Sequence, residues 1–346
     1  MIFFRYAAIA LVVGGLSALI FMAANGVGQS PVTAQRFVDL QEGGDVHAGF
    51  RRAHAKGFCV AGEFISNGSL AALSTAAVFQ VASTPFVGRI SIAGNNPTAP
   101  DLRSPVRSLA LAFDNSSAGT WRTAMNTPPV MAVGTPEAFY EQLSVLAPDP
   151  VTGQRNSERI QAFFEAHPET AAFRAWQASY TPTQSFATER YHSINAFYLI
   201  DQDSNRQAVR WAAVPAALTD LTAVTELADD NSEALQEEFM SRVARQPVVF
   251  DLTFTLAAPE DNENDPTTLW PDSRQQLVAG QLVINEVLAE AQGACNDINF
   301  DPLVLPAGMA ATADPILRAR SAAYAESFRR RAREHLLGRN KELTNE

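Results

Sequence analysis

The 346-residue chain is 47% hydrophobic and 18% charged, with 26 Lys and Arg against 37 Asp and Glu and a net charge of −11. That apolar share suits a globular chain with a sizeable core rather than a disordered one, and the acidic balance argues against a nucleic-acid binder, which needs a basic surface to release counterions. The two cysteines, Cys59 and Cys295, lie in no CxxC or Cys/His zinc spacing; they read equally as a bridge in an oxidising compartment or as two small buried side chains.

In chain order, MIFFR places one positive charge ahead of about 19 nearly uncharged residues, longer than a signal-peptide core and long enough to span a bilayer. Arg5 then stays cytoplasmic. The expectation is an inner-membrane anchor at residues 6–25, within an N-terminal segment 1–30, with the rest of the chain periplasmic or otherwise extracytoplasmic. A cleaved signal peptide is the alternative, although no A-x-A site follows. After a polar lead, alternating runs predict strands at 57–64, 85–94, 106–113 and 128–133, and again at 191–200, 248–257 and 281–287. Helices are predicted at 157–167, with Ser157 as N-cap, at 168–178, opened by Pro168, at 231–246, and from Asp314 onward. Strands, a helical excursion and more strands point to an α+β chain: a closed or nearly closed antiparallel barrel carrying helices, in one domain, 31–346.

Polar residues inside this frame are candidates for chemistry. His54 sits just before a predicted strand, three residues after Arg51; Arg89 and Ser91, two apart on one strand, face the same side, and an inward arginine needs an anionic partner. Asn126 interrupts an apolar approach. In LRARSAAYAESFRRR (317–331), helical geometry puts Arg320 and Arg331 within about 40° of Tyr324, about 6 Å and about 10 Å away along the axis, whereas Arg318, Arg329, Arg330 and Arg333 point elsewhere and read as a solvated face. A cation beside a buried tyrosine favours phenolate, an anionic oxygen ligand suited to ferric iron and one of the few proximal haem ligands.

The segment FDPLVLPAGMAATADPILRARSAAY (300–324) resembles the proximal segment of haem catalases, F-D-P-x-x-x-P-x-G-I-x-x-S-x-D-x-x-L-x-x-R-x-x-x-Y, with the spacing preserved throughout. RRAHAKG resembles the family's distal R-x-x-H-A-K-G, NTPPVMAVGTPEAFY its N-N-T-P-x-F-F-x-x-D-P-x-x-F, and DPTTLWPDSRQQLVAGQLVINE (265–286) its D-x-T-K-x-W-P…P-x-G-x-L-x-L-N. The likeness runs from about residue 45 to 335 and is greatest to the small members, the catalase-related peroxidases.

The resemblance implies a catalase-like antiparallel barrel of about eight strands with helical insertions and a C-terminal helix carrying the haem ligand, in a proximal segment 300–335. It implies haem b, with Tyr324 as axial iron ligand, Arg320 keeping it ionised, His54 and Asn126 as the catalytic pair, and Ser91 hydrogen-bonding the histidine. Arg51, Arg89 and Arg331 would hold the propionates, and Phe139 would stack on the porphyrin. Met131 stands where the family has a distal phenylalanine. The implied activity is a peroxidase reducing hydrogen peroxide and organic hydroperoxides with a small organic electron donor and little catalase activity, in a chain able to form a homo-oligomer. The long arm and NADPH-binding region of full catalases have no counterpart, which implies a more open haem. A non-catalytic haem binder or store, or an enzyme rearranging lipid hydroperoxides, are the alternatives.

Overall fold

The computed structural model describes residues 32–44, 46–115, 119–149, 151–216 and 231–338. The predicted membrane segment lies outside them; no described helix is long and apolar enough to cross a membrane. Ten strands form one antiparallel sheet: β1 (Gly57–Ser66), β2 (Ser83–Ile92), β3 (Arg107–Asn115), β4 (Gly119–Asn126), β5 (Tyr191–His192), β6 (Phe197–Ile200), β7 (Arg206–Pro215), β8 (Val248–Leu256), β9 (Gln276–Ala289) and β10 (Met309–Ala311). The order β10-β6-β7-β5-β4-β3-β2-β1-β9-β8 closes on itself through β7–β8, so eight strands make a barrel and β6 and β10 extend it. Closure pairs both edges of the eight barrel strands and leaves only the short β10 as an edge among the described residues.

Period-two alternation fills the barrel. On β8, Val248, Phe250, Leu252 and Phe254 are buried while the residues between them are not. Phe113 stacks on Trp121 at 4.7 Å, and Trp211 meets Trp121 edge-on at 5.4 Å, pairs that add to the area they bury. Bulges between Ala61 and Gly62 and between Leu252 and Thr253 bend the strands around the core. Gly280 at the second bend has φ +150, and a Cβ there would come within 2.1 Å of the Ile65 carbonyl oxygen, so the close strand approach requires glycine.

Among the described residues six α-helices decorate the barrel: α1 (Ala34–Glu42), α2 (Pro136–Leu146), α3 (Ser157–Ala166), α4 (Ala171–Ser179), α5 (Ala234–Arg245) and α6 (Pro315–Leu336). Those expected near 157, 168, 231 and 314 are present. The cap of α3 is Asn156, not Ser157: its side chain accepts from Arg159 N at 3.0 Å. The polar lead contains α1, capped by Thr33, and Thr135 with Pro136 opens α2.

The strand expected at 128–133 is absent. Pro128 and Pro129 offer no N–H to a ladder, and the segment instead hangs on Met131 N, which donates to Pro266 O at 2.8 Å. The true neighbour of β3 is β4, where Trp121, Thr123 and Met125 point inward. The run 191–200 is broken into β5 and β6 by Ile194, whose φ of 66 leaves the strand region. β7, also unexpected, hides its inward Val209, Trp211 and Ala213 among alanines and arginines.

Candidate active site

A cavity of about 560 Å³ lies between the barrel wall and the helices. The strands supply Arg89 and Ser91 from β2, Ser108 from β3 and Asn126 from β4; the helices supply Phe37 from α1, Phe139 from α2 and Tyr324 from α6. His54, Arg51, Arg320 and Arg331 line it as well, so all nine residues singled out in the sequence face one space.

His54 adopts φ 55, a left-handed conformation costly for a non-glycine residue. It is held there by the following residue, Ala55, whose N donates to Gly94 O at 2.9 Å. The hydroxyl in reach of His54 is that of Ser108, 3.2 Å from Nδ1. Ser91, which the resemblance puts in this role, is buried on the cavity wall as the cross-strand partner of Ser108. The two serines share one face of the sheet, and the strand register puts the β3 hydroxyl at the imidazole. Ser108 also hydrogen-bonds Asn126 Oδ1. A carboxamide oxygen only accepts, so Ser108 donates to Asn126 and must accept from His54 Nδ1–H. That chain leaves His54 Nε2 as the acceptor of the neutral ring and the Asn126 NH₂ as a donor. Burial first, then Arg89, Arg320 and Arg51, push the His54 pKa down to about 4, against a smaller upward pull from the Ile92 carbonyl. The imidazole is therefore neutral at pH 7.

Asp314 caps α6, accepting from Ile316 N at 2.8 Å, and is itself held by Asn195 Nδ2 at 2.6 Å. The side-chain oxygen of Asn195 and the Ala124 carbonyl take the Arg320 guanidinium. Tyr324, one turn later, is half-buried against Phe300 and the two cysteines. Arg331 is buried and Arg318, Arg329 and Arg333 are exposed, as helix geometry predicted. Arg330 departs from that pattern: it is half-buried and pairs with Glu326, Asp39 and Glu42, tying α6 to α1. Arg52, overlooked in the sequence, is buried between Glu42 and Glu334 and completes the same joint.

Arg51 and Arg89 both ion-pair with Glu290, and Arg331 donates to the Asn296 side chain at 3.0 Å. The segment that carries these acceptors is tied to β1 by a disulfide between Cys59 and Cys295, which decides between the two readings of the cysteines. Gly293 packs so closely on that bridge that a Cβ would lie 2.3 Å from Cys59 Sγ. Phe139 lines the cavity and packs on Phe37 at 5.2 Å. Met131, also on the wall, puts a flexible thioether at the cavity.

A catalase family model matches residues 48–340. The chain belongs to the catalase family. It is 37% identical over 331 residues to the catalase-related peroxidase of Synechococcus elongatus, covering 95% of this chain and 97% of that one. It is 27% identical to the catalase-related peroxidase of Mycolicibacterium paratuberculosis, covering 87% and 95%. Catalase A from Saccharomyces cerevisiae superposes with a TM-score of 0.69 at 18% identity, over 84% of this chain and 63% of that one, and a bacterial catalase with 0.70 at 20%, over 93% and 66%. The barrel is thus the catalase barrel, and the chain spans about two thirds of those solved catalases.

Family membership implies a haem, and the cavity fits one. It offers a phenol oxygen from a helix, aromatic and aliphatic walls, and three guanidiniums grouped to receive carboxylates. Sequence reasoning missed Ser108, although it is a polar residue in an apolar strand, the signal that marked Ser91; both, with Arg89, face out of the barrel towards the cavity, not inward as the strand reading had Arg89. Glu290 carried no such signal, because its importance comes from the arginines that fold onto it.

Proposed function

We propose that this chain is a haem b peroxidase that reduces hydrogen peroxide and organic hydroperoxides with a small organic electron donor and has little catalase activity. The carrying observation is the His54–Ser108–Asn126 hydrogen-bond chain in the same cavity as Tyr324. When bound, the haem supplies two-electron reduction of the peroxide O–O bond. The chain's part is to ligate the iron through Tyr324 and to hold the propionates with Arg51, Arg89 and Arg331. His54 Nε2 accepts the proton of the incoming peroxide and returns it to the departing oxygen, as general base and then acid. The Asn126 NH₂ orients the peroxide by hydrogen bonding, and Phe139 stacks on the porphyrin. A haem store would have no use for the ordered histidine, serine and asparagine.

His54→Ala tests the reading. The variant should keep its haem while peroxide turnover with a phenolic donor falls about a hundredfold or more; unchanged turnover would remove His54 from the reaction. Product analysis of an organic hydroperoxide should give the alcohol, and a rearranged product would favour the lipid-hydroperoxide alternative. We further place the catalytic body outside the cytoplasm, anchored by residues 6–25 or released from a cleaved signal. The disulfide supports this, since such bridges persist in oxidising compartments.

A further inference from the structure

Glu290 is a half-buried carboxylate that peroxide chemistry does not use. β9 delivers it beside β1 and β2: Ala289 pairs with Phe58, and Cys59 pairs with Arg89. Arg89 grips it with two N–H groups, Nε to Oε1 at 2.9 Å and Nη2 to Oε2 at 2.7 Å, and Arg51 binds the same Oε1. Arg51 also donates to the carbonyls of Cys295 at 2.9 Å and Ile298 at 3.1 Å, and Arg331 to the Asn296 side chain. Every one of these acceptors lies in residues 290–298, the segment the disulfide staples to β1. The three guanidiniums line the cavity, whereas Glu290 does not. It stands behind them and offsets the repulsion between Arg51 and Arg89. Burial raises the Glu290 pKa, but Arg89 and Arg51 outweigh burial and hold it below the usual carboxylate range, so the group is ionised.

We propose that Glu290 is the positioning residue of a carboxylate clamp: it aims Arg51 and Arg89, beside Arg331 of α6, which bonds the same segment, at the propionates of a bound haem, and so sets how firmly the chain holds a dicarboxylate porphyrin. The proposal rests on the haem reading of the cavity. The contrary role is a stand-in, in which Glu290 occupies a propionate's place and must be displaced on loading.

The two roles predict opposite results. Full-length protein is loaded with hemin or with hemin dimethyl ester, and transfer of each to excess apomyoglobin is followed by absorbance. Wild type should hold hemin longer than the ester. Glu290→Gln should release hemin about tenfold faster, the worth of a charge-assisted hydrogen bond, with ester release unchanged. Glu290→Asp, which keeps the charge on a shorter arm, should fall between. Slower hemin release from Glu290→Gln means a stand-in; equal acceleration for both pigments means a general structural role; no change means no role. Each overturns the proposal. If Glu290→Gln shows no cooperative melting, Glu290→Asp decides: hemin-selective loss supports the role, and equal loss or none overturns it. Wild type that takes up neither pigment sinks the haem reading and the proposal with it, whereas uptake without selective loss sinks the proposal alone.

Discussion

At His54 the hydrogen-bond directions fix one tautomer, and burial first, then the surrounding cations, keep the ring neutral far below the ordinary histidine range. The acid limb of peroxide turnover should therefore lie near the depressed value of about 4 rather than at the ordinary 6.5; an acid limb at the ordinary value would contradict the burial of His54 beside Arg89, Arg320 and Arg51. Stability follows the same titration. Below the unfolded value the unfolded chain binds the proton before the folded one does, so the stabilisation is complete above 6.5 and is lost as the pH falls towards about 4. His192, pushed down to about 4 chiefly by burial, adds in the same direction. Urea midpoints should drop across that window, and a flat profile would count against both histidines being buried neutral. His54, Asn126 and Tyr324 were legible because they stand at fixed places in the family-like segments RRAHAKG, NTPPVMAVGTPEAFY and 300–324. The choice between Ser91 and Ser108 was not: alternation tells which face a serine takes, while the hydroxyl nearest a ring depends on the register between two strands.

Among the elements, α1 and α6 form a joint over the cavity. Glu42 receives both Arg52 and Arg330, and α1 brings Phe37 to the cavity wall against Phe139. Removing the charge of Glu42 leaves the buried Arg52 with Glu334 as its remaining carboxylate. Glu42→Gln should therefore destabilise the protein by about 2 kcal/mol, measured by denaturant unfolding, and an unchanged midpoint would show the joint to be marginal. Arg330 leaves the solvated face because residues 34–42, polar by composition, form α1 against α6. Once that helix exists, an outward arginine acquires two carboxylate partners. The misread strand at 128–133 has a similar cause: its apolar run suits a wall of the cavity as well as a strand, and the two prolines decide for the wall.

On the scale of the whole molecule, the barrel places Ser108 and Asn126 at strand ends, the loop before β1 brings His54 to the same cavity, and α6 brings Tyr324. Eight strands closing through β7–β8 agree with the expected barrel, although two of the pairing strands, β4 and β7, came from segments whose inward residues were diluted by polar or small neighbours. The disulfide joins residues 236 apart in sequence and so links the start of the barrel to the approach to α6. In fractionated cells, the extracytoplasmic placement predicts that Cys59 and Cys295 resist thiol alkylation until reduced; free thiols in native protein would contradict it. The central claim is a haem held through Tyr324, and the ferric absorption spectrum of hemin-loaded wild type beside Tyr324→Phe tests it most directly. The account predicts a phenolate-ligated ferric spectrum in the wild type that is lost or altered in the variant; identical spectra would contradict it.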